Sequence, residues 1–167
     1  MPFNPLVIKA IKSKLYHQES GVVVRVIDPS DDERIAFFEL DGANNPQTPI
    51  TNDWNYRGKI CDLLIFYSKK SGNKQLLCLV ELEGENLEDG VEQIVQTYQL
   101  LKDKFNSRIF RQVIWGGYLC SNQLGHGQSP QVRNKRLKKR LVDELHSRAC
   151  DLSKTSDIGP FLRKYCP

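Results

Sequence analysis

The sequence predicts a single α/β domain whose strands form a central sheet flanked by helices. Two short, apolar, β-rich runs at residues 60–66 and 76–83 are typical of strands that are covered on both faces. Apolar residues between Leu87 and Phe105 recur at helical spacing, which predicts an amphipathic helix after these strands. With 167 residues and no visible repeat or linker, residues 1–167 are expected to form one domain.

The N-terminal half is predicted to contain one helix and two further strands. A helix is expected to begin at Pro5 and to continue through Tyr16, with Gly21 after its end. Strands are predicted at residues 22–27 and 34–40, because both runs are rich in β-branched or aromatic residues and a polar turn separates them.

A long polar loop is predicted at residues 41–58. Loops of this length in compact domains are often functional. Its residues Trp54, Tyr56 and Arg57 could stack on nucleic-acid bases, although a Trp in such a loop more often anchors it to the core. Beyond the amphipathic helix, a strand is predicted at residues 111–120 and a final helix between Val132 and Ala149.

The composition argues against several classes of protein. Hydrophobic residues make up 40% of the chain and charged residues 26%, as in ordinary globular proteins. The five cysteines show no C-x-x-C spacing, which argues against a zinc site and a disulfide framework and favours the reducing cytoplasm. Because neither a signal peptide nor an apolar run of membrane-spanning length is seen, no membrane association is expected.

Three carboxylates accompany the two apolar runs. Asp62 lies inside the first run, and Glu81 and Glu83 end the second. The polar segment between the runs is typical of a hairpin turn. If Ser71 and Gly72 form its tip, paired positions sum to 143, so Asp62 lies opposite Glu81 with the two Cβ atoms about 5 Å apart. Glu83 joins them on the same face, because strand side chains alternate.

Buried carboxylates this close together repel each other and require compensation. A raised pKa could keep one acid protonated, basic neighbours such as Arg57 or Lys59 could pair with them, or a divalent cation could bind between them. Oxygen ligands favour Mg²⁺ or Mn²⁺ over zinc. We favour a metal over a solvated strand end, because Asp62 stands within an apolar run.

The order of helix, strands, carboxylate hairpin, helix and strand resembles that of the PD-(D/E)xK nuclease superfamily over residues 22–120. The resemblance implies a restriction-endonuclease-like core, in which helices flank a central mixed β-sheet in α-β-β-β-α-β order; here a basic C-terminal helix follows it. Asp62 matches the metal-binding Asp, and Glu81 matches the first acid of the E-x-K tripeptide. Glu83 occupies the position usually held by Lys, and Gln93 falls where many members direct a Gln toward the metal.

The resemblance also implies a mechanism. Asp62 and Glu81 would bind Mg²⁺ (or Mn²⁺), which stabilises the charge that moves onto the leaving oxygen of a phosphodiester. Glu83 would act as a general base or bind a second metal, and Glu19 could add a further acid. Many relatives are dimers, so a homodimer is a further expectation.

The predicted C-terminal helix suggests a nucleic-acid partner. Residues 131–148 contain seven basic and two acidic residues, a local charge of +5. A helix with one leucine stripe for the core and basic residues elsewhere is suited to phosphate backbones. The nucleic-acid-binding candidates on it are Arg133, Lys135, Arg136, Lys138, Lys139 and Arg140.

Three functions are consistent with these features. The favoured one is a divalent-metal-dependent endonuclease that hydrolyses nucleic acid, with DNA as the expected substrate. The second is a catalytically inactive nuclease-fold protein that binds nucleic acid or a protein partner. The third is a glycoside hydrolase that uses two carboxylates about 5 Å apart, and we favour it least because the basic helix would have no role in it.

Overall fold

A five-stranded mixed sheet organises the computed structural model, which describes residues 14–41, 55–105 and 107–167. The strands are β1 (Tyr16–Glu19), β2 (Val22–Arg25), β3 (Glu33–Glu39), β4 (Leu63–Lys69), β5 (Gln75–Leu82), β6 (Ile114–Cys120) and β7 (Cys150–Ser153). The helices are α1 (Leu87–Lys104), α2 (Ser107–Gln112), α3 (Pro130–Leu145) and α4 (Gly159–Tyr165), with a 3₁₀ turn at Asn122–Gly125.

The main sheet has the strand order β3-β4-β5-β6-β7. Strand β4 is antiparallel to both of its neighbours, β3 and β5, whereas β6 is parallel to β5 and β7 is parallel to β6. The predicted α/β class, with a central mixed sheet flanked by helices, is therefore confirmed.

The predicted hairpin register is also confirmed. Leu63 pairs with Val80 and Ser68 pairs with Gln75, so paired positions sum to 143. The turn is longer than a two-residue tip, because β4 ends at Lys69 and β5 begins at Gln75. Its centre still falls at Ser71 and Gly72, which is why the register arithmetic holds.

Apolar side chains cover both faces of the sheet. The helix face packs against α1 and α3, and strand β5 contributes Leu77 and Leu79 to it. The opposite face, here called the ribbon face, packs against α4 and the two-stranded β1–β2 sheet, with Leu76 and Val80 among its buried residues. The apolar runs of β4 and β5 follow directly from this double coverage.

The predicted first helix is wrong at its C-terminal end. Residues 1–13 lie outside the described residues, but Tyr16 begins strand β1 rather than ending a helix. Strand β1 pairs with β2 as an antiparallel hairpin, which we call the ribbon (residues 16–25). Ser20 and Gly21 form its turn with φ angles of 50° and 72°, the left-handed conformation that two-residue hairpins require.

The C-terminal part of the prediction needs further correction. Helix α1 matches its prediction, but the strand predicted at residues 111–120 begins at Ile114, because Arg111 and Gln112 belong to α2. The basic helix ends at Leu145, so Ala149 lies outside it. It is also not the last element, since β7 and α4 follow. No helix in the described parts of the chain is long and apolar enough to cross a membrane.

Candidate functional site

Asp62 and Glu81 lie next to each other at the open end of the β4–β5 hairpin, away from its turn. The main-chain ladder ends at the pair Leu63–Val80, and side-chain bonds continue it. The Asp62 N–H donates to Oε2 of Glu81 over 3.1 Å, and the Leu82 N–H donates to Oδ2 of Asp62 over 2.7 Å. Both acidic residues are only 4% exposed. The predicted pair of buried carboxylates is therefore present.

Burial raises the pKa of both carboxyl groups well above the usual range. The charge of Asp62 raises the pKa of Glu81 further, and Glu19 acts in the same direction on both groups. Within the described residues, neither carboxylate forms an ion pair with Lys or Arg. Lys59, one of the expected basic partners, instead pairs with Asp89 over 2.7 Å. With no basic partner in the described parts of the chain, a bound proton or a cation can offset the repulsion.

Helix α1 positions the carboxylates from the helix face. Gln93 donates from Nε2 to Oε1 of Glu81 over 2.6 Å, as expected for a residue directed back toward the site. Thr97 is fully buried, and its Oγ1 accepts a 2.8 Å hydrogen bond from the N–H of Cys61, the residue before Asp62. Gly90 permits this approach, because a Cβ there would lie 3.3 Å from Cγ of Glu81.

Glu83 lies near Glu81 but is directed into the turn that precedes α1. Its Cβ and the Cγ of Glu81 are both close to Gly90, and its charge adds to the causes that raise the pKa of Glu81. Oε1 of Glu83 accepts hydrogen bonds from the N–H groups of Glu85 (2.7 Å) and Asn86 (3.0 Å). Glu83 therefore organises the start of the helix that carries Gln93.

The ribbon brings two further metal-ligating side chains to Asp62. His17, Glu19 and Asp62 each offer a ligand atom within 4.8 Å of the other two. His17 is 5% exposed, and its Nε2 lies 3.4 Å from Oε2 of Glu19. Glu19 was expected near the end of a helix, and it instead ends β1.

Sequence reasoning missed His17. The only available signal was the His-x-Glu spacing, which places both side chains on one face of a strand, and it could be recognised only after that strand had been identified. Of the remaining loop candidates, Trp54 lies outside the described residues. Tyr56 packs against the core of the helix face, and its hydroxyl donates to Oε1 of Gln96 over 3.4 Å.

The basic helix α3 forms as expected, but most of its candidate phosphate ligands already have protein partners. Arg133 donates to the carbonyl oxygens of Gln123 and His126. Four others form ion pairs: Arg136 with Glu88 (2.8 Å), Lys138 with Asp151 (2.8 Å), Lys139 with Asp143 (2.6 Å) and Arg140 with Glu92. Lys135 is exposed and has no such partner in the described part of the chain. These contacts reduce the positive field that the helix offers to a polyanion.

Comparison with protein-family models and with curated proteins gave no match. Carboxylate oxygens together with an imidazole nitrogen are a ligand set suited to a divalent cation such as Mn²⁺. A cation bound there would replace the protons that burial otherwise favours on Asp62 and Glu81.

Proposed function

We propose that this chain is a divalent-metal-dependent nuclease of the PD-(D/E)xK type that hydrolyses phosphodiester bonds in nucleic acid, with DNA as the expected substrate. The observation that carries the proposal is the buried pair Asp62–Glu81, which has no basic partner among the described residues. Burying two carboxyl groups costs free energy, so such a pair is typical of a functional site.

The order of elements supports the same family. Three consecutive antiparallel strands, β3 to β5, are followed by helix α1 and then by β6, which is parallel to β5. The resemblance implies this order after its first helix, whose predicted position lies largely outside the described residues. Glu81 stands on β5, the third of these strands, and Asp62 directly precedes β4, the second, which supports a match to the motif.

The residues of the site would bind and orient one divalent cation. When bound, the cation polarises the phosphate and stabilises the leaving oxygen. The Leu82 N–H fixes Oδ2 of Asp62, and Glu19 from the ribbon lies beside the same carboxyl group. Gln93 and the Asp62 N–H fix the two oxygens of Glu81, each of which retains a lone pair. Hydrogen bonds of this kind orient metal ligands before the ion arrives.

The proton acceptor for the attacking water would differ from that of relatives with Lys. Glu83 cannot offer a positive charge, and the ammonium group of Lys59 is paired with Asp89. Acidic side chains and His17 are the remaining candidates among the described residues of the site. Of these, Glu83 uses Oε1 for both of its hydrogen bonds to the turn, so Oε2 is the oxygen that would accept the proton.

The proposal is tested by incubating the pure protein with plasmid and labelled oligonucleotides in Mg²⁺, Mn²⁺ or chelator. We expect cleavage with either metal, none in chelator, and none for Asp62→Asn or Glu81→Gln. Asp103→Asn is the matched control, because Asp103 is an exposed acid on α1 and its variant should cleave normally. Cleavage that persists in both site variants would show that these carboxylates are not the catalytic centre.

A catalytically inactive nuclease-fold protein that binds nucleic acid is the second candidate. The position of Glu83 favours it, because the acid that replaces the usual Lys serves to cap a turn. Salt-dependent binding of DNA without cleavage in any divalent metal would select this function.

A further inference from the structure

A cavity of about 440 Å³ lies between the ribbon and the loops that follow β6 and β7. Its lining includes Tyr16, Arg25, Asn122, Lys154 and Ser156. Strands β5, β6 and β7 are parallel, and Asn122 and Lys154 closely follow the ends of β6 and β7. The cavity therefore lies at the carboxyl edge of the parallel strands, where ligands bind in open α/β sheets.

The cavity and the acidic site lie on opposite faces of the same ribbon. Tyr16 pairs with Arg25 and His17 pairs with Val24, so Tyr16 and Arg25 share the outer face while His17 and Val24 share the inner one. Val24 and His17 are buried, whereas Tyr16 and Arg25 are exposed. Glu19 is on the inner face with His17, beside Asp62. The ribbon therefore separates the cavity from the acidic site.

No ion pair among the described residues neutralises the charges of this cavity. In residues 14–41, 55–105 and 107–167, neither Arg25 nor Lys154 forms an ion pair, and no acidic residue is part of the lining. The basic helix α3 differs, because four of its cations are paired with carboxylates. A cavity of about 300 Å³ beside α4 differs as well, since it contains Asp151 and Asp157. Unpaired Arg and Lys beside amide and hydroxyl donors fit a phosphate group.

We propose that this cavity binds a phosphate of the nucleic-acid backbone through Arg25 and Lys154, with Asn122 and Ser156 as hydrogen-bond donors. The inference rests on the proposed nuclease function, and it moves the principal phosphate contact from helix α3 to the ribbon. Contacts of this kind position a nucleic acid without reading its sequence.

The test is the affinity of the full chain for labelled duplex DNA, duplex RNA and single-stranded DNA, measured by fluorescence anisotropy in chelator over a range of salt concentrations. For Arg25→Gln/Lys154→Gln we expect at least about tenfold weaker binding to the preferred nucleic acid. The slope of log affinity against log salt should fall by about two units, one for each phosphate contact. The single variant Lys154→Gln, at an exposed position, should show half of that change in slope.

Arg34→Gln/Lys102→Gln is the matched control, because it removes the same charge from exposed positions on β3 and α1. Unchanged affinity and slope in the cavity variant, or an equal loss in the control, would overturn the inference. It would also fall if the wild-type chain bound none of the three probes. Failure of the nuclease proposal is separate: binding that depends on the cavity, without cleavage in any metal, would refute the chemistry but keep the phosphate site.

Discussion

Gln93 on helix α1 donates a 2.6 Å hydrogen bond to Oε1 of Glu81 at the end of strand β5. The bond joins α1 to β5 at the buried acidic pair. One turn further along α1, Oγ1 of Thr97 accepts a hydrogen bond from the N–H of Cys61. One helix thus fixes both strand β5, which carries Glu81, and the segment before β4, which carries Asp62. The geometry of the site consequently depends on how α1 packs on the sheet.

Replacing Gln93 with Ala should destabilise the protein by about 1–2 kcal/mol, because a buried carboxylate oxygen loses its donor. The free energy of unfolding in urea measures this loss. Gln99→Ala is the control, since Gln99 is exposed on the same helix. Equal losses in the two variants would mean that the bond to Glu81 contributes nothing beyond helix propensity.

Divalent metal should stabilise the wild-type chain through Asp62 and Glu81. At a Mn²⁺ concentration about a hundred times the dissociation constant, the expected gain is about 2.7 kcal/mol. Asp62→Asn should lose most of this gain, whereas Asp103→Asn should keep it. Thermal unfolding with Mn²⁺ and with chelator measures the difference. A full gain in Asp62→Asn would remove that residue from the set of metal ligands.

In chelator, the stability of the wild-type chain should fall as the pH rises. Burial raises the folded-state pKa of Asp62 and Glu81, so the folded chain binds more protons than the unfolded one. The contribution of these two groups to the stability of the folded chain is complete below the usual carboxyl pKa of about 4. It is lost as the pH rises through their folded-state pKa values. Glu81→Gln should show a shallower decline in urea unfolding over the same pH series. Parallel curves for the two proteins would contradict the raised pKa values.

Local sequence signals were sufficient for the centre of the fold. The register of β4 and β5 follows from a short polar turn and two apolar runs, all within consecutive residues. Helix α1 was clear because its apolar positions recur at helical spacing over its whole length. The C-terminal end predicted for the first helix, at Tyr16, was wrong because a periodic apolar pattern outweighed the turn at Ser20 and Gly21. Strand β7 has only four residues, too few to show a period.

The candidate site could be predicted only where its residues are close in sequence or in register. Asp62 and Glu81 were found because hairpin arithmetic pairs them, whereas His17 reaches Asp62 through the packing of a separate ribbon. The same limit applies to α3. Its basic residues are evident in the sequence, but Glu88 and Glu92 neutralise two of them only because α1 packs beside α3.

His17→Gln should change metal preference more than it changes folding. An imidazole ligand favours Co²⁺ or Zn²⁺, whereas Mg²⁺ prefers oxygen ligands. We expect about tenfold weaker Co²⁺ binding in this variant, with a smaller effect on Mg²⁺. Calorimetric titration with each ion measures the change, and His126→Gln at an exposed position is the control. Equal weakening for both ions would indicate that His17 acts only by supporting the ribbon.

Glu33 should make the chain sensitive to acid. Its side chain is 1% exposed and accepts two hydrogen bonds from the Arg163 guanidinium, at 2.8 and 3.1 Å, which join β3 to α4. These bonds, with one from Tyr67, lower the pKa of Glu33 from 4.5 to about 2. Because the folded-state pKa is depressed, the stabilisation is present above about pH 4.5 and is lost as the pH falls toward 2.

Glu33→Gln should therefore lower the free energy of unfolding by about 3 kcal/mol at neutral pH, and this deficit relative to wild type should shrink below pH 4.5. Urea unfolding from pH 7 to pH 3 measures the deficit, with the exposed Asp31→Asn as control, and a deficit independent of pH would assign the loss to packing instead of charge.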